Sequence, residues 1–504
     1  MADEIQAPML PLDEHNQRLL DCVRPADWVN PVPKPRYHLV VIGAGTAGLV
    51  SAVGAAGLGA KVAILERRFL GGDCLNFGCV PSKALLRTAR AVADMRRAGE
   101  FGIEYQGEMR VNFLAVMERL RRLRAEISPN DSAQRLRDLG VDVFFGDARF
   151  VGSNQVKVGD KTLHFRRGII ATGTRPFVPT IPGLAESGYL TNESIFSLTM
   201  LPPRLAVIGA GPIGCELAQA FARFGSRVTL IGNHDQILPR EDTEAATLLA
   251  ERLSSDGVEL LVSSQVTRVD GRSLTIQSPR GTRVLEVDAV LVAAGRTPNV
   301  EGLGLEAAGI GFDAKIGVQV NDRLQTSNAG VFAAGDVCSR FKFTHAADAC
   351  ARIAVQNALF YGRAKANALV IPWCTYTDPE IAHVGMGETE AKAQGASIQT
   401  FAQGYCHVDR AVLDGDPDGF VKIHVRAGTD QIVGATIVGR HAGEMIATVS
   451  LAMTSKLGLS ALAKTVFPYP THGEALKKIG DAFNRTRLTP TVRWLFDQWF
   501  RWMR

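Results

Sequence analysis

The feature that most constrains this chain is a glycine spacing that occurs twice. Gly43-x-Gly45-x-x-Gly48 follows the strand-like run HLVVI and leads into a stretch of small, helix-compatible residues. Gly209-x-Gly211-x-x-Gly214 follows RLAVI and opens a second such stretch. Missing β-carbons let the backbone approach a pyrophosphate, and the N-terminus of the following helix aims N–H donors at it. Two strand–loop–helix starts of this kind predict two dinucleotide sites and an α/β chain with two Rossmann-like domains. Glycine supplies 50 of the 504 residues, above the ~7% of an average chain, as many tight turns require.

The acid that accepts a ribose diol in such units closes the second strand. Glu66 stands at the end of KVAILE, 23 residues after Gly43. The same offset from Gly209 falls on Gly232, followed by Asn233, His234 and Arg240. Donor and basic groups in place of a carboxylate suit a 2′-phosphate, so NADPH is expected at the second site in preference to NADH.

Redox chemistry is written between the two units, in Gly71-Gly72-Asp73-Cys74-Leu75-Asn76-Phe77-Gly78-Cys79-Val80-Pro81-Ser82-Lys83. Two cysteines five residues apart, just before a helix and near a lysine, are biased toward thiolate. Together they can store two electrons as dithiol and release them as disulfide. The other cysteines, at 22, 215, 338, 350, 374 and 406, have no motif spacing. They form neither a secreted disulfide framework nor a structural metal site, and a cytoplasmic protein is expected. The N-terminus lacks the basic-then-apolar pattern of a signal peptide. The uncharged run Leu39–Ala60 is broken by glycines and reads as strand, loop and helix rather than a membrane span. A net charge of +5 without a separate basic block predicts no nucleic-acid partner.

These motifs resemble the FAD-dependent pyridine nucleotide–disulfide oxidoreductases, a family that includes dihydrolipoyl dehydrogenase, glutathione reductase and mercuric reductase. ATGTRP from Ala171 to Pro176, with Thr172 and Gly173, is part of the resemblance. So are AAGRTPN from Ala293 to Asn299, with Gly295, and VFAAGDV with Asp336. The resemblance implies FAD at the first fingerprint, with Asp336 near its ribityl–phosphate region. It places the cysteine like Cys79 against the flavin and lets the one like Cys74 exchange with substrate. It pairs Lys83 with Glu216 beside the isoalloxazine. It also implies a homodimer in which the C-terminal domain of one subunit completes the other's site. The expected domains are an arm and linker (1–36), an FAD domain (37–181 and 297–365), an NAD(P)H domain (182–296), an α+β dimerisation domain (366–483) and an amphipathic tail (484–504).

One departure from the family pattern bears on the acceptor. Disulfide-reducing members carry His-Pro-Thr-x-x-Glu near the C-terminus, the histidine serving the exchanging thiol as acid and base. This chain reads Phe467-Pro468-Tyr469-Pro470-Thr471-His472-Gly473-Glu474. Glu474 is in register, but Tyr469 takes the histidine position, and a phenol of pKa ~10 is a poor proton shuttle for a thiol. Mercuric reductase has tyrosine at this place, and paired thiolates are good ligands for a soft metal ion. That enzyme also has a C-terminal cysteine pair, whereas no cysteine follows Cys406 here. The expected activity is therefore mercuric reductase-like, with a metal ion held as substrate at Cys74 and Cys79, or another small acceptor. The alternatives are a dihydrolipoyl dehydrogenase or related disulfide reductase, and a membrane-associated flavin-binding regulatory protein.

The tail motivates the last alternative. Pro490 fits a helix start after Thr489, and Val492, Leu495, Phe496, Trp499 and Met503 then share one stripe. Three of the five tryptophans (494, 499 and 502) fall here. The stripe is expected either to pack on the protein's own body or across the dimer, or to make a peripheral membrane contact.

Overall fold

The computed structural model of the chain describes residues 9–104 and 107–503. They divide into two compact units, Met1–Asn233 with Asp256–Leu369, and His234–Ser255 with Val370–Arg504.

In the first unit a sheet forms from β1 (Tyr37–Ile42), β2 (Val62–Glu66), β3 (Val141–Phe145), β4 (Ala148–Gly152), β5 (Gln155–Val158) and β6 (Lys161–Ile170), in the order β3-β2-β1-β6-β5-β4. β1 runs parallel to both β2 and β6, and Val331–Ala333 adds a further parallel strand beside β6. Apolar clusters cover both faces of this sheet. That is why β1 and β2 are nearly continuous in apolar residues instead of alternating. A second, all-parallel sheet orders Val258–Leu261, Arg227–Ile231, Arg204–Ile208 and Ala289–Val292. A three-stranded antiparallel sheet, Gln265–Asp270, Ser273–Ser278 and Gly281–Glu286, precedes its last strand in the chain. ATGTRP and AAGRTPN meet as an antiparallel ribbon, with Arg296 opposite Pro176 and Pro298 opposite Thr174.

The arm packs into this unit. Asp13 caps the helix Glu14–Val23, whose Leu19 and Val23 are buried in the same cluster as Leu39 and Val41. β3 is the edge strand, and side chains of the arm take its free backbone groups. Asn30 Nδ2 donates to Phe145 O at 2.8 Å, Asn30 Oδ1 accepts from Phe145 N at 2.8 Å, and Trp28 Nε1 donates to Val143 O at 3.2 Å. The proline-rich stretch thus braces an edge that would otherwise offer itself to another chain.

The second unit is built on an antiparallel sheet in the order Pro372–Thr375, Glu380–Gly385, Ile432–Gly439, Phe420–Arg426, Ile398–Gly404. Helices Ala442–Thr454 and Glu474–Thr486 bury their apolar faces in its core. Segment 234–255 is tied to the sheet by polar bonds. Trp373 Nε1 donates to Glu241 Oε1 at 2.6 Å, and Lys422 Nζ lies 2.9 Å from both Asp242 and Glu244. The tail forms a helix, Pro490–Trp502, in which Thr489 Oγ1 accepts from Val492 N, and none of its residues is buried.

Candidate active site

The two glycine loops have the same geometry. Gly43 has φ +98°, and a β-carbon on it would lie 2.4 Å from Ala171 O; Gly209 has φ +114°, with Ala293 O at the same 2.4 Å. A β-carbon on Gly48 would lie 1.9 Å from Gly43 O, and one on Gly214 would lie 1.9 Å from Gly209 O. These four positions admit no side chain: Gly48 and Gly214 meet the backbone of their own loop, and Gly43 and Gly209 meet the chain leaving a neighbouring strand. Gly45 and Gly211 differ: each is the cap of the following helix, with no heavy atom nearer than 3.8 Å to the position of an added β-carbon. Such open caps leave helix N–H groups accessible to a phosphate. These cradles fit the pyrophosphates of FAD and of a nicotinamide dinucleotide.

Strand register extends the parallel. Ile42 pairs with Leu65, and Ile208 with Ile231, so the next residues, Glu66 and Gly232, are equivalent. Glu66 is buried, which pushes its pKa up, while N–H donors from Arg68 and Ala44, both at 2.7 Å, oppose the shift. At Gly232 an added β-carbon would come within 2.8 Å of Ala210 Cβ. The position is closed to any side chain, so a carboxylate cannot occupy it. Asn233 ends the first unit and His234 and Arg240 belong to the second; all three are exposed.

Around the cysteines, Cys74 sits in the short helical turn Gly72–Asn76 and Cys79 is the first residue of helix Cys79–Arg96. Gly72 packs on Gly45, setting the redox loop directly on the first glycine loop. Cys79 Sγ lies 3.3 Å from Thr344 Oγ1. Its pKa is lowered to about 6, chiefly by a hydrogen bond from Cys74, with help from Thr344 and the Lys83 charge and against burial. Cys74 is shifted the opposite way, because it is the donor to Cys79 and is itself desolvated. The pair is thus poised as one thiolate and one thiol. Lys83 Nζ is 2.9 Å from Glu216 Oε2 and 3.2 Å from Oε1, joining helix Cys79–Arg96 to helix Pro212–Phe224.

Several residues that hold this loop were not anticipated from sequence. Arg296 lies 3.1 Å from Asp73 Oδ2, and Asn192 Nδ2 donates to Asp73 Oδ1 (2.9 Å) and Phe77 O (3.2 Å). Buried Arg124 donates to Asn76 O at 2.6 Å and to Asn16 Oδ1 of the arm at 2.7 Å. Thr344 is separated from Cys79 by 265 residues. Only Arg296 lies in a motif the sequence had singled out.

Thr172, Gly173 and Gly295 serve the ribbon. Thr172 Oγ1 donates to Asn299 O (2.7 Å) while Asn299 Nδ2 donates to Thr172 O (2.9 Å), and Asn299 N donates to Gly173 O (3.0 Å). Gly295 has φ +127° and its carbonyl accepts from Phe177 N at 2.9 Å. Asp336 accepts from Thr174 Oγ1 at 3.2 Å. Burial raises its pKa, opposed by Arg296 and Lys342. A half-buried carboxylate beside two cations fits a ligand that offers both hydroxyl and phosphate groups.

In the second unit Tyr469 is 71% exposed and its hydroxyl donates to Asp409 Oδ2 at 2.7 Å. That bond and the Asp409 charge raise the phenol's pKa. Glu474 begins helix Glu474–Thr486, with Oε1 3.1 Å from Lys478 Nζ. His472 is buried instead, its ring tilted against those of Tyr405 and His441, with Nε2 3.3 Å from Asp414 Oδ2. Burial lowers its pKa, with Asp414 opposing.

Comparison with known proteins agrees with this architecture. Residues 37–351 match the family described as pyridine nucleotide-disulphide oxidoreductase, and residues 371–479 match its dimerisation domain. The chain belongs to this family, whose members are FAD-dependent NAD(P)H oxidoreductases, and the second match supports a homodimer. Similar proteins include a mercuric reductase from Bacillus cereus, 34% identical over 88% of this chain and 70% of that one. A dihydrolipoyl dehydrogenase from Thermus scotoductus is 35% identical over 89% of this chain and 98% of its own. Among solved structures, the Cu(II) complex of the HOCl-induced flavoprotein disulfide reductase RclA from Escherichia coli has a TM-score of 0.80. It is 30% identical, covering 89% of this chain and 100% of its own. Among the described residues, no helix is long and apolar enough to cross a membrane.

Proposed function

We propose that this enzyme oxidises NADPH and delivers the electron pair through Cys74 and Cys79 to a soft metal ion, or to another small acceptor that needs no acid–base catalyst. The first glycine loop, Gly43 to Gly48, with Glu66 and Asp336 would hold FAD, which would supply the hydride-accepting chemistry between the nicotinamide and the disulfide. The chain's own part follows from the thiol pair. Lys83 and the N-terminus of helix Cys79–Arg96 favour negative charge on Cys79, and Cys74 and Thr344 donate to it. Oxidation of this thiolate–thiol pair to disulfide releases two electrons and one proton, the Cys74 proton, and a metal ion held between the sulfurs takes the electrons directly.

The observation that carries this reading is Tyr469. It stands at the histidine position with a raised pKa, while His472 is buried against Tyr405. Mercuric reductase relatives and the copper-bound RclA structure are consistent with a metal acceptor. The second reading, a disulfide reductase, is favoured by Glu474 in register and by the Thermus relative. Steady-state oxidation of NADPH by the purified holoenzyme distinguishes them. Hg(II) or Cu(II) is expected to support turnover, with lipoamide and glutathione disulfide poor; disulfide turnover matching that with metal ions would restore the second reading.

The same proposal takes NADPH over NADH, because Gly232 removes the ribose acid and donor and basic residues follow in sequence. A preference of about 10- to 100-fold in kcat/KM is expected, on the scale of one or two charge-assisted hydrogen bonds. Ala210→Gly with Gly232→Glu makes room for a carboxylate and should shift the ratio toward NADH, whereas Gly232→Glu alone should impair both. Equal efficiency of the wild-type enzyme with NADH would overturn this assignment. We place the enzyme in the cytoplasm, peripheral to a membrane through its tail.

A further inference from the structure

We propose that helix Pro490–Trp502 lies in the interface of an anionic lipid bilayer and docks the enzyme there. This deepens the peripheral placement above and stands on the tail alone, so vesicle assays and acceptor assays can fail independently.

At 100° per residue, Val492, Leu495, Phe496, Trp499, Phe500, Trp502 and Met503 fall on one continuous side of the helix. Phe496 lies tilted against Phe500 (centroids 6.4 Å apart) and Trp499 against Trp502 (5.2 Å), so aromatic rings adjoin along this side. It is uncovered: Leu495 and Trp499 are each 54% exposed and Trp502 77%. An exposed apolar surface of this kind marks an interaction site. Arg493 borders this side next to Phe500, Asp497 and Arg501 lie on the opposite side together with the exposed Trp494, and Arg485 and Arg487 are exposed just before the helix.

Three occupants were conceivable, and the structure separates them. The protein's own body does not cover the stripe, since no residue of the helix is buried. A second copy is disfavoured by charge. Residues 485–504 hold five arginines (485, 487, 493, 501 and 504) against one aspartate, Asp497. A two-fold contact through the stripe would bring two such net-positive tails side by side, with Arg501 of each turned away from the seam. The dimerisation match also ends at residue 479, before the tail begins. An anionic bilayer complements both features. Tryptophan rings settle at the headgroup level, where one edge is apolar and the other wet, and arginines bind acidic headgroups. A 13-residue helix is about 20 Å long, too short to span the ~30 Å hydrocarbon core, so it lies in the plane.

The test is co-sedimentation of the full-length holoenzyme with vesicles of phosphatidylcholine alone or mixed with phosphatidylglycerol. Binding to the mixed vesicles is expected, weakened by high salt and at least about tenfold lower on phosphatidylcholine alone. Arg493→Gln or Arg501→Gln should each weaken binding about fivefold. Leu495→Glu with Trp499→Glu should lower it at least about tenfold, with dimer mass and melting temperature unchanged. Failure of the intact protein to bind acidic vesicles would overturn the proposal. So would binding that survives the paired glutamates. Dissociation of the dimer in that variant would assign the stripe to a second copy.

Discussion

Cys79→Ser enzyme, reduced by two electrons, is expected to lack the long-wavelength absorption of a thiolate lying against the flavin, while Cys74→Ser enzyme retains it. Both should lose acceptor turnover by about 10³-fold or more, because residues acting as one catalytic unit fail together. The asymmetry follows from the site. Cys79 begins a helix near Lys83 and accepts from Cys74 and Thr344, which brings its pKa to about 6; Cys74, as donor, is pushed upward. Serine at 74 can still donate to the Cys79 sulfur, whereas serine at 79 supplies no thiolate. In the wild-type protein the band should fall as pH drops through about 6, since the sulfur is charged above that value and protonated below it. Thr344→Val removes a donor to the thiolate and should move the midpoint upward. A spectrum unchanged by Cys79→Ser would take that cysteine off the flavin face.

A comparably large effect concerns disulfide substrates. General acid–base catalysis typically contributes ~10²–10⁴-fold, so lipoamide and glutathione disulfide should turn over slower by about that factor than in an enzyme with histidine at this position. Tyr469→His should recover part of the deficit, about 10²-fold, because Asp409, now 2.7 Å from the phenol oxygen, is placed to orient an imidazole. Tyr469→Phe should leave the low disulfide activity where it is. If Tyr469→Phe abolished a substantial disulfide activity instead, the phenol would be the working acid and the proposed acceptor class would be wrong.

Much of this framework was legible in the sequence for a physical reason. Gly43, Gly48, Gly209 and Gly214 are forced by contacts of 1.9–2.4 Å with backbone carbonyls, and local steric demands of that kind leave a fixed spacing. The equivalence of Gly232 to Glu66 could likewise be counted from either fingerprint, because strand and loop lengths match. What could not be read were contacts made across long stretches of chain. Thr344 reaches Cys79 from 265 residues away, and Arg296 reaches Asp73 from a ribbon motif whose pattern shows no such partner. The arm was read from its polarity and prolines as a linker. Its hold on the sheet rests on Trp28 and Asn30, single side chains meeting one strand edge, which leave no periodic signature. The amphipathic stripe of the tail was readable, but that nothing buries it required the three-dimensional structure.

The contact between Gly232 and Ala210 has a consequence for how specificity can change over generations. With 2.8 Å separating an added β-carbon from Ala210, the carboxylate that would favour NADH cannot arrive in one step. Substitution at 232 first strains the loop against the strand, and Ala210→Gly first loosens the loop without recruiting NADH. Drift toward the other cofactor must therefore cross a less fit intermediate. The proposed preference for NADPH would then be protected by a barrier in sequence space as well as by binding energy.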